Sequence, residues 1–225
     1  MSVVTRARAI CLAALAAIAV ATPAARAQTV AAARFQTFMG SDFHKGLITR
    51  TLAGIPPAVY QRCPALVSQA SEITVLRPVT YGASGIPNAG AWRESFPVSG
   101  CGNDTTLNLF FAGTPGDKVN VLVAAPGGSR ADLALQKDAF SRAALGARTI
   151  AKDCTAFYVR HTTFDGFGSI DPPSADPGPD SRSRPWHETW MMTGCGRAFA
   201  VPIQFTPDDK GTTISQHVGD VREEH

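Results

Sequence analysis

The sequence has little charge and no long apolar segment. Of its 225 residues, 17% are charged and 44% are hydrophobic, which excludes a charged disordered chain that could not form a core. The apolar run at residues 9–21 is shorter than the ~20 residues that a membrane-spanning helix requires, and no other run is long enough. We therefore expect a chain that folds around its own core.

The sequence also lacks the short motifs that carry catalysis or hold cofactors. It contains no G-x-S-x-G nucleophile turn, no G-x-x-x-x-G-K-[ST] phosphate loop and no C-x-x-C redox pair. Metal-binding histidine motifs such as H-x-H and H-E-x-x-H are missing as well. The motifs therefore predict no cofactor and no metal.

A cluster of basic residues is missing from most of the chain. The formal net charge of +3 comes from Arg6, Arg8 and Arg26, so the chain after residue 27 is neutral. Nucleic acids and anionic membranes are bound through clustered basic side chains that neutralise phosphates. The charge balance therefore argues against both kinds of partner.

The first 27 residues have the pattern of a secretory signal. Arg6 and Arg8 precede the apolar run at 9–21, and residues 25–27 (Ala-Arg-Ala) give the small-x-small pattern of a cleavage site. A membrane anchor is the alternative, but the apolar run is short for one. The pattern predicts export to a periplasm or to the extracellular space, with a mature chain that begins at Gln28.

Four cysteines remain after the signal segment, namely Cys63, Cys101, Cys154 and Cys195. An even number in an exported chain predicts two disulfides, for which three pairings exist. The alternatives are free buried thiols or a bridge that joins Cys101 to Cys195.

An internal repeat favours one of these pairings. Residues 92–102 align without a gap on residues 186–196, and both match W-x-E-x-[FW]-x-x-[ST]-G-C-G. The cysteine upstream of each motif lies at a similar distance from it. The repeat predicts Cys63 with Cys101 and Cys154 with Cys195, one disulfide in each repeat.

The pattern of each repeat predicts a helix followed by four antiparallel strands, which is an α+β fold. The repeats cover residues 28–128 and 129–218, and the polar residues 219–225 are expected to form a flexible tail.

Ser129 is the expected cap of a helix over 130–152, in which Leu133, Lys137 and Phe140 recur at helical spacing. Pro56 and Pro57 end the weaker first helix, which begins near residue 42. The predicted strands are 72–80, 92–99, 105–111 and 118–124 in the first repeat, and 156–163, 186–193, 198–206 and 212–218 in the second.

Each repeat places a glutamate among aromatic residues on one face of a strand. Trp92, Glu94 and Phe96 alternate in the first repeat, and Trp186, Glu188 and Trp190 occupy the same positions in the second. Apolar surroundings raise the pKa of a carboxyl group, as in general acids and bases. The alternative is a structural role, in which each carboxylate accepts a hydrogen bond or salt bridge from an arginine or from a helix N-terminus and fixes the register between helix and sheet. Because both repeats carry the glutamate, we favour the structural role.

The histidines are concentrated in the second repeat. His161, His187 and His217 lie on three of its predicted strands, and His187 adjoins Glu188. Three imidazoles could bind zinc or copper, but Glu188 points to the face opposite His187 and no local ligand pair exists. Separate histidines are the expected arrangement.

The second repeat also contains a long insertion at 165–185. Its aspartates do not match a calcium loop, but long loops in compact domains often contact ligands. Phe164, Phe167 and Trp186 flank it. Together with Trp92, Glu94, Glu188 and Trp190, these residues are the candidate ligand-binding set.

The sequence favours a binding or interaction protein over an enzyme. Duplication, two disulfides and neutral charge are typical of a rigid scaffold, and the ligand could be a protein, a glycan or a small apolar molecule held between helix and sheet. The alternative is an exported hydrolase or metal-dependent enzyme with a pocket in the second repeat, which would use Glu188, His161 and His187. A structural component of the cell envelope is a third class.

Overall fold

The computed structural model describes residues 23–56, 59, 67–68, 71–100, 104–168 and 184–224, with side chains from Ala31 onward. Most of the predicted signal segment, the Cys63–Cys101 pair and residues 169–183 of the long insertion lie outside the described residues. Within them the chain is α+β, with three α-helices and two antiparallel sheets.

Two of the helices precede the first sheet. Helix α1 spans Pro23–Met39 and helix α2 spans Asp42–Gly54. Ser41 caps α2, because its hydroxyl accepts a hydrogen bond from the His44 amide at 3.2 Å. The helix ends two residues before Pro56, which disfavours helical backbone in the residue before it. Helix α1 is an addition to the predicted fold.

The first sheet, sheet 1, contains β1 (Val67–Ser68), β2 (Glu72–Tyr81), β3 (Pro87–Ser99), β4 (Thr105–Thr114) and β5 (Lys118–Val123). Strands β2 to β5 form an antiparallel meander in chain order, and β1 pairs with the last residues of β3. Each of the four strands predicted for this region is present.

Helix α3 (Leu133–Ile150) follows sheet 1. Its cap is Asp132, whose carboxylate accepts from the Leu135 amide at 2.9 Å, and not the predicted Ser129. The helix begins later than predicted because the Ser129 and Arg130 amides donate to side chains of the second sheet. Its buried face consists of Gln136 and small residues, listed here as Ala139, Ala143, Gly146 and Ala147.

The second sheet, sheet 2, contains β6 (Tyr158–Phe167), β7 (Trp186–Gly194), β8 (Arg197–Asp208), β9 (Gly211–Ser215) and β10 (Arg222–Glu224). Strands β6 to β9 again form an antiparallel meander in chain order. The prediction of a flexible tail is wrong for β10, which pairs with β8. Arg197 also donates to the Glu223 carboxylate at 2.6 Å, so the charged tail has a partner on the sheet.

Each sheet buries one face against the helices of its own unit. We call α1, α2 and sheet 1 the first unit, and α3 and sheet 2 the second unit. Phe38, Trp92 and Phe111 form the centre of the first core, and the alanine face of α3 packs on Trp190 and the inner residues of β8 in the second. Alternation along β3 and β7 therefore places Trp92 and Glu94, and likewise Trp186, Glu188 and Trp190, inside the cores.

The segment at residues 124–131, which we call the linker, connects the units and is hydrogen-bonded to both. The Gly127 amide donates to the Thr106 carbonyl on β4 at 2.7 Å, and the Gly128 amide donates to the Thr162 carbonyl on β6 at 2.7 Å. Gly127 has a φ of 100°, and a side chain there would collide with Thr162. The linker thus fixes the second unit against the first.

Candidate functional site

Glu94 lies in the core of the first unit and is 1% exposed. Its Oε1 accepts from Trp92 Nε1 at 2.9 Å and lies 2.7 Å from His44 Nε2. His44 Nδ1 faces the Met39 carbonyl at 3.0 Å and must donate to it, so one further proton lies between Nε2 and the carboxyl group. Glu94 therefore connects β3 to the first turn of α2.

Glu188 occupies the corresponding position in the second unit and is fully buried. Oε1 accepts from Trp186 Nε1 at 3.0 Å and from the Arg130 amide at 2.8 Å, and Oε2 accepts from Trp190 Nε1 at 3.0 Å. Three N–H donors and no acceptor suit an ionised carboxylate. These contacts are the ones that the structural role requires, because they tie β7 to the segment just before α3.

A stacked pair of rings accompanies each glutamate. Trp92 stacks on Phe111 across β3 and β4 with ring centroids 5.1 Å apart, and Trp186 stacks on Phe205 across β7 and β8 at 4.7 Å. Both pairs are nearly parallel, with interplanar angles of 4°. The rings of Trp92 and Trp186 are therefore packed inside the cores.

The histidines proposed for the enzyme alternative lie apart. His161 is opposite Met191 in the β6 and β7 register, whereas His187 is opposite Gly166, four positions further along the strand. That separation is roughly 13 Å at the rise of a strand. Since Glu188 also faces the other side of β7, the structure does not bring the three candidate catalytic side chains together.

His161 has a different set of neighbours. Its Nδ1 lies 2.8 Å from the Thr105 hydroxyl, which joins sheet 2 to the start of β4. Burial lowers the pKa of His161 below its ordinary value, so the neutral form is favoured. Among the described residues no group of three or more His, Cys, Asp or Glu is close enough to hold a metal ion.

The aromatic residues at the base of the long insertion contact arginines. The Arg130 guanidinium lies 5.1 Å from the Phe164 ring centroid and 4.9 Å from that of Phe167, and Arg184 lies 5.3 Å from the same Phe167 ring. Arg130 therefore binds β6 through its side chain and β7 through its amide. This cluster holds the linker on sheet 2.

A disulfide joins Cys154 to Cys195, as the repeat predicts, with the Cα atoms 5.8 Å apart. Cys154 follows α3, and Cys195 lies in the tight turn between β7 and β8 with a φ of 53°. The bridge ties the end of α3 to the sheet on which the helix packs. The other predicted pair, Cys63 and Cys101, lies outside the described residues.

An apolar cleft of about 670 Å³ lies between the two units. Its walls are the end of α2, strand β5, the linker and the first turns of α3, and its floor includes Val159 and the buried ring of Trp190. Its lining includes Arg50, Ile55, Val121, Val123, Leu133, Gln136, Lys137 and Phe140. A cleft of this size falls within the range of small-molecule sites.

The lining of the cleft is mostly apolar, and its polar side chains are those of Arg50, Thr51, Gln136 and Lys137. Gln136 is buried but satisfied, since its Oε1 accepts from the Ala125 amide at 2.8 Å and its Nε2 donates to the Ala131 carbonyl at 2.8 Å. Arg50 and Lys137 are exposed, and the described residues around the cleft include no carboxylate. The cleft can therefore bury an apolar group while presenting positive charge to solvent.

Comparison with protein-family models, with curated proteins and with solved structures gives no match. Across the part of the chain that the structure describes, no helix combines the length and the apolar character needed to cross a membrane.

One of the seven candidate ligand-binding residues lines the apolar cleft, namely Trp190. Glu188 does not line the cleft, but its carboxylate accepts a hydrogen bond from the Trp190 indole and so fixes the position of that ring. The rest of the lining is not among the predicted residues. Leu133, Lys137 and Phe140 have the spacing of one helical face, and that face lies over the cleft while the alanine face meets the sheet.

Proposed function

We propose that this protein is an exported, disulfide-stabilised binding protein that holds a small apolar ligand in the cleft between its two units. The observation that carries the proposal is the cleft itself, with an apolar lining, a buried tryptophan at its floor and walls from both units. The groups that the enzyme alternative would use are separated or engaged in the core.

The hydrogen bonds of the linker support a cleft that exists before a ligand arrives. Asn108 on β4 donates to the Gly127 carbonyl at 2.9 Å, and Thr162 on β6 donates to the Pro126 carbonyl at 2.8 Å. Both walls are therefore held in place by buried hydrogen bonds. Binding in such a cleft would not require the units to be ordered first.

We further propose that the units, at residues 28–128 and 129–218, are duplicates. Trp92 and Trp186 are separated in sequence by the same number of residues as their stacking partners Phe111 and Phe205. Glu94 contacts His44 in the first turn of α2, and Glu188 contacts the Arg130 amide just before α3. The cleft then lies where two copies of one scaffold meet. The second disulfide, Cys63 with Cys101, belongs to this proposal.

Export is part of the same proposal. The pattern of residues 1–27 and the Cys154–Cys195 bridge both suit an oxidising compartment. Cleavage before Gln28 would leave Phe35 and Phe38, the α1 residues that pack against Trp92, in the mature chain. We propose a small molecule, and not a nucleic acid, as the ligand because the mature chain is neutral.

The binding of alkyl probes tests the proposed cleft. We expect dodecanol and dodecanoate to bind saturably and to change tryptophan fluorescence, to which Trp190 at the cleft floor contributes. Val123→Glu with Phe140→Glu should weaken binding of both probes by at least about tenfold, since each introduced carboxylate would be desolvated against the alkyl chain.

Matched controls exist on the same two elements. Leu122 on β5 and Leu145 on α3 are 58% and 55% exposed and do not line the cleft, so Leu122→Glu with Leu145→Glu should leave probe affinity unchanged. If neither probe binds the wild-type protein, or if the cleft variant binds both as well as the control variant does, the proposal is wrong.

A further inference from the structure

The two cations that line the cleft come from different helices. Arg50 lies in the last turns of α2, and Lys137 lies in the second turn of α3. Both are exposed, and neither forms an ion pair with any residue that the structure describes. Both side chains are therefore available to a charged group of a ligand in the cleft.

The positive charge at this place is not neutralised by its neighbours. Asp138 follows Lys137 in sequence but lines a different cleft on the other side of α3. Asp42, on the same helix as Arg50, lies in its first turn and is 3.6 Å from Lys45. In a mature chain without net charge, two cations that form no ion pair with the described residues are a local excess of positive charge beside the cleft.

The position of Arg50 is set by its own helix. A Cβ atom built on Gly46 would lie 3.2 Å from Arg50 Nη1, so the guanidinium folds back over Gly46. Residues four apart lie on the same helical face. The absence of a side chain at Gly46 leaves room for this arrangement.

The polar groups at the floor of the cleft already have protein partners, so an apolar ligand group fits there best. Trp190 Nε1 is already bonded to Glu188, and both ends of the buried Gln136 amide have protein partners. A polar ligand group at the floor would lose its bonds to water without gaining new ones. The chemistry of the site is therefore divided, apolar at the floor and cationic at Arg50 and Lys137.

We infer that the ligand is an anionic amphiphile with a single alkyl chain, whose chain lies on the Trp190 floor and whose carboxylate lies between Arg50 and Lys137. This inference rests on the proposed function and names its ligand class. Arg50 can hold a carboxylate through two parallel N–H donors, and Lys137 adds a second cation from α3.

The test compares probes that differ only in the head group. Calorimetric titration with dodecanoate, dodecanol and dodecyltrimethylammonium, below their micelle concentrations, should place dodecanoate about tenfold tighter than dodecanol and the cation weakest. The preference for dodecanoate should shrink as salt is added, because exposed charges are screened.

Variants at Arg50 and Lys137 test whether these two residues cause the preference for dodecanoate over dodecanol. Arg50→Gln with Lys137→Gln should bring dodecanoate down to the affinity of dodecanol and leave dodecanol unchanged. Lys45→Gln with Arg142→Gln, which removes one cation from each of the same helices away from the cleft, should keep the preference. If the cleft variant does not fold, the salt series on the wild-type protein still tests whether the preference is electrostatic, and a preference that survives high salt overturns the inference.

The outcomes separate the inference from the function on which it rests. Equal affinity for dodecanoate and dodecanol, or a preference that survives the cleft variant or high salt, overturns the inference and leaves the binding function intact. Failure of both probes to bind overturns the proposed function. Binding to vesicles of anionic phospholipid without binding of dodecanoate would also overturn the inference, because the partner would then be a membrane surface.

Discussion

In both units a buried glutamate connects a strand to the region where a helix begins, but the groups that contact the glutamate differ. Glu94 in the first unit contacts a titratable side chain, His44, whereas Glu188 in the second contacts only N–H groups that remain donors at any ordinary pH. Glu94 ties its sheet to the first turn of α2, and Glu188 ties its sheet to the segment just before α3. The comparison shows that both units combine a buried glutamate with a tryptophan donor, whereas the donor from the helix side differs.

The largest expected loss of unfolding free energy that tests this comparison comes from removal of a disulfide. Removal of the Cys154–Cys195 bridge by Cys154→Ser with Cys195→Ser should lower the free energy of unfolding by about 4 kcal/mol, because the bridge closes a loop with a sequence separation of 41. Urea unfolding under oxidising conditions measures this loss.

The first unit supplies the control for this prediction. Cys63→Ser with Cys101→Ser should cost a similar amount if the units are duplicates, and peptide mapping without reduction should find Cys63 joined to Cys101. A map that joins Cys101 to Cys195, or free thiols at Cys63 and Cys101, would contradict the duplicated pairing.

Glu188→Ala should have the next largest effect. It leaves the Trp186 and Trp190 indoles and the Arg130 amide as buried donors without an acceptor, at a cost of about 3 kcal/mol in unfolding free energy. Thr189→Ala on the other face of β7 should cost less than about 1 kcal/mol, because its hydrogen bond is exposed. Equal losses for the two variants would show that Glu188 does not hold the unit together.

His44→Ala should have a smaller effect, about 2 kcal/mol, since it removes one charge-assisted partner of Glu94 and leaves Trp92 in place. Chemical unfolding of the single variants and of the double variant with Glu94→Ala gives the coupling energy. The losses should be less than additive. Full additivity would mean that His44 and Glu94 stabilise the protein independently, and the comparison between the units would then fail.

The strands could be predicted because their signals are local. Trp92, Glu94, Trp186 and Glu188 alternate with residues of the outer face, and turns of Gly, Asp and Pro separate the strands. The first residues of helix α1 overlap the predicted signal segment. The sequence does not predict strand β10, because its residues, Arg222–Glu224, are charged and their pairing depends on Arg197 of β8.

The cleft could not be predicted because its walls are distant in sequence. Arg50, Val123 and Lys137 meet only after α2, β5 and α3 have packed around the linker. The separation of His161 from His187 likewise depends on two register shifts between β6 and β7, which no pattern in either strand indicates. Local periodicity identifies elements, whereas sites between elements depend on how these pack.

The linker also has a consequence for how a ligand could enter and leave. Because the amides of Gly127 and Gly128 bond to β4 and β6 in turn, and Asn108 and Thr162 bond back to the same segment, the junction between the units has no hinge of free backbone. A clamshell motion would break these bonds together. A ligand would instead enter and leave through the open side of the cleft while the two units keep their relative positions. The residence time of the ligand would then depend on its contacts with the walls of the cleft.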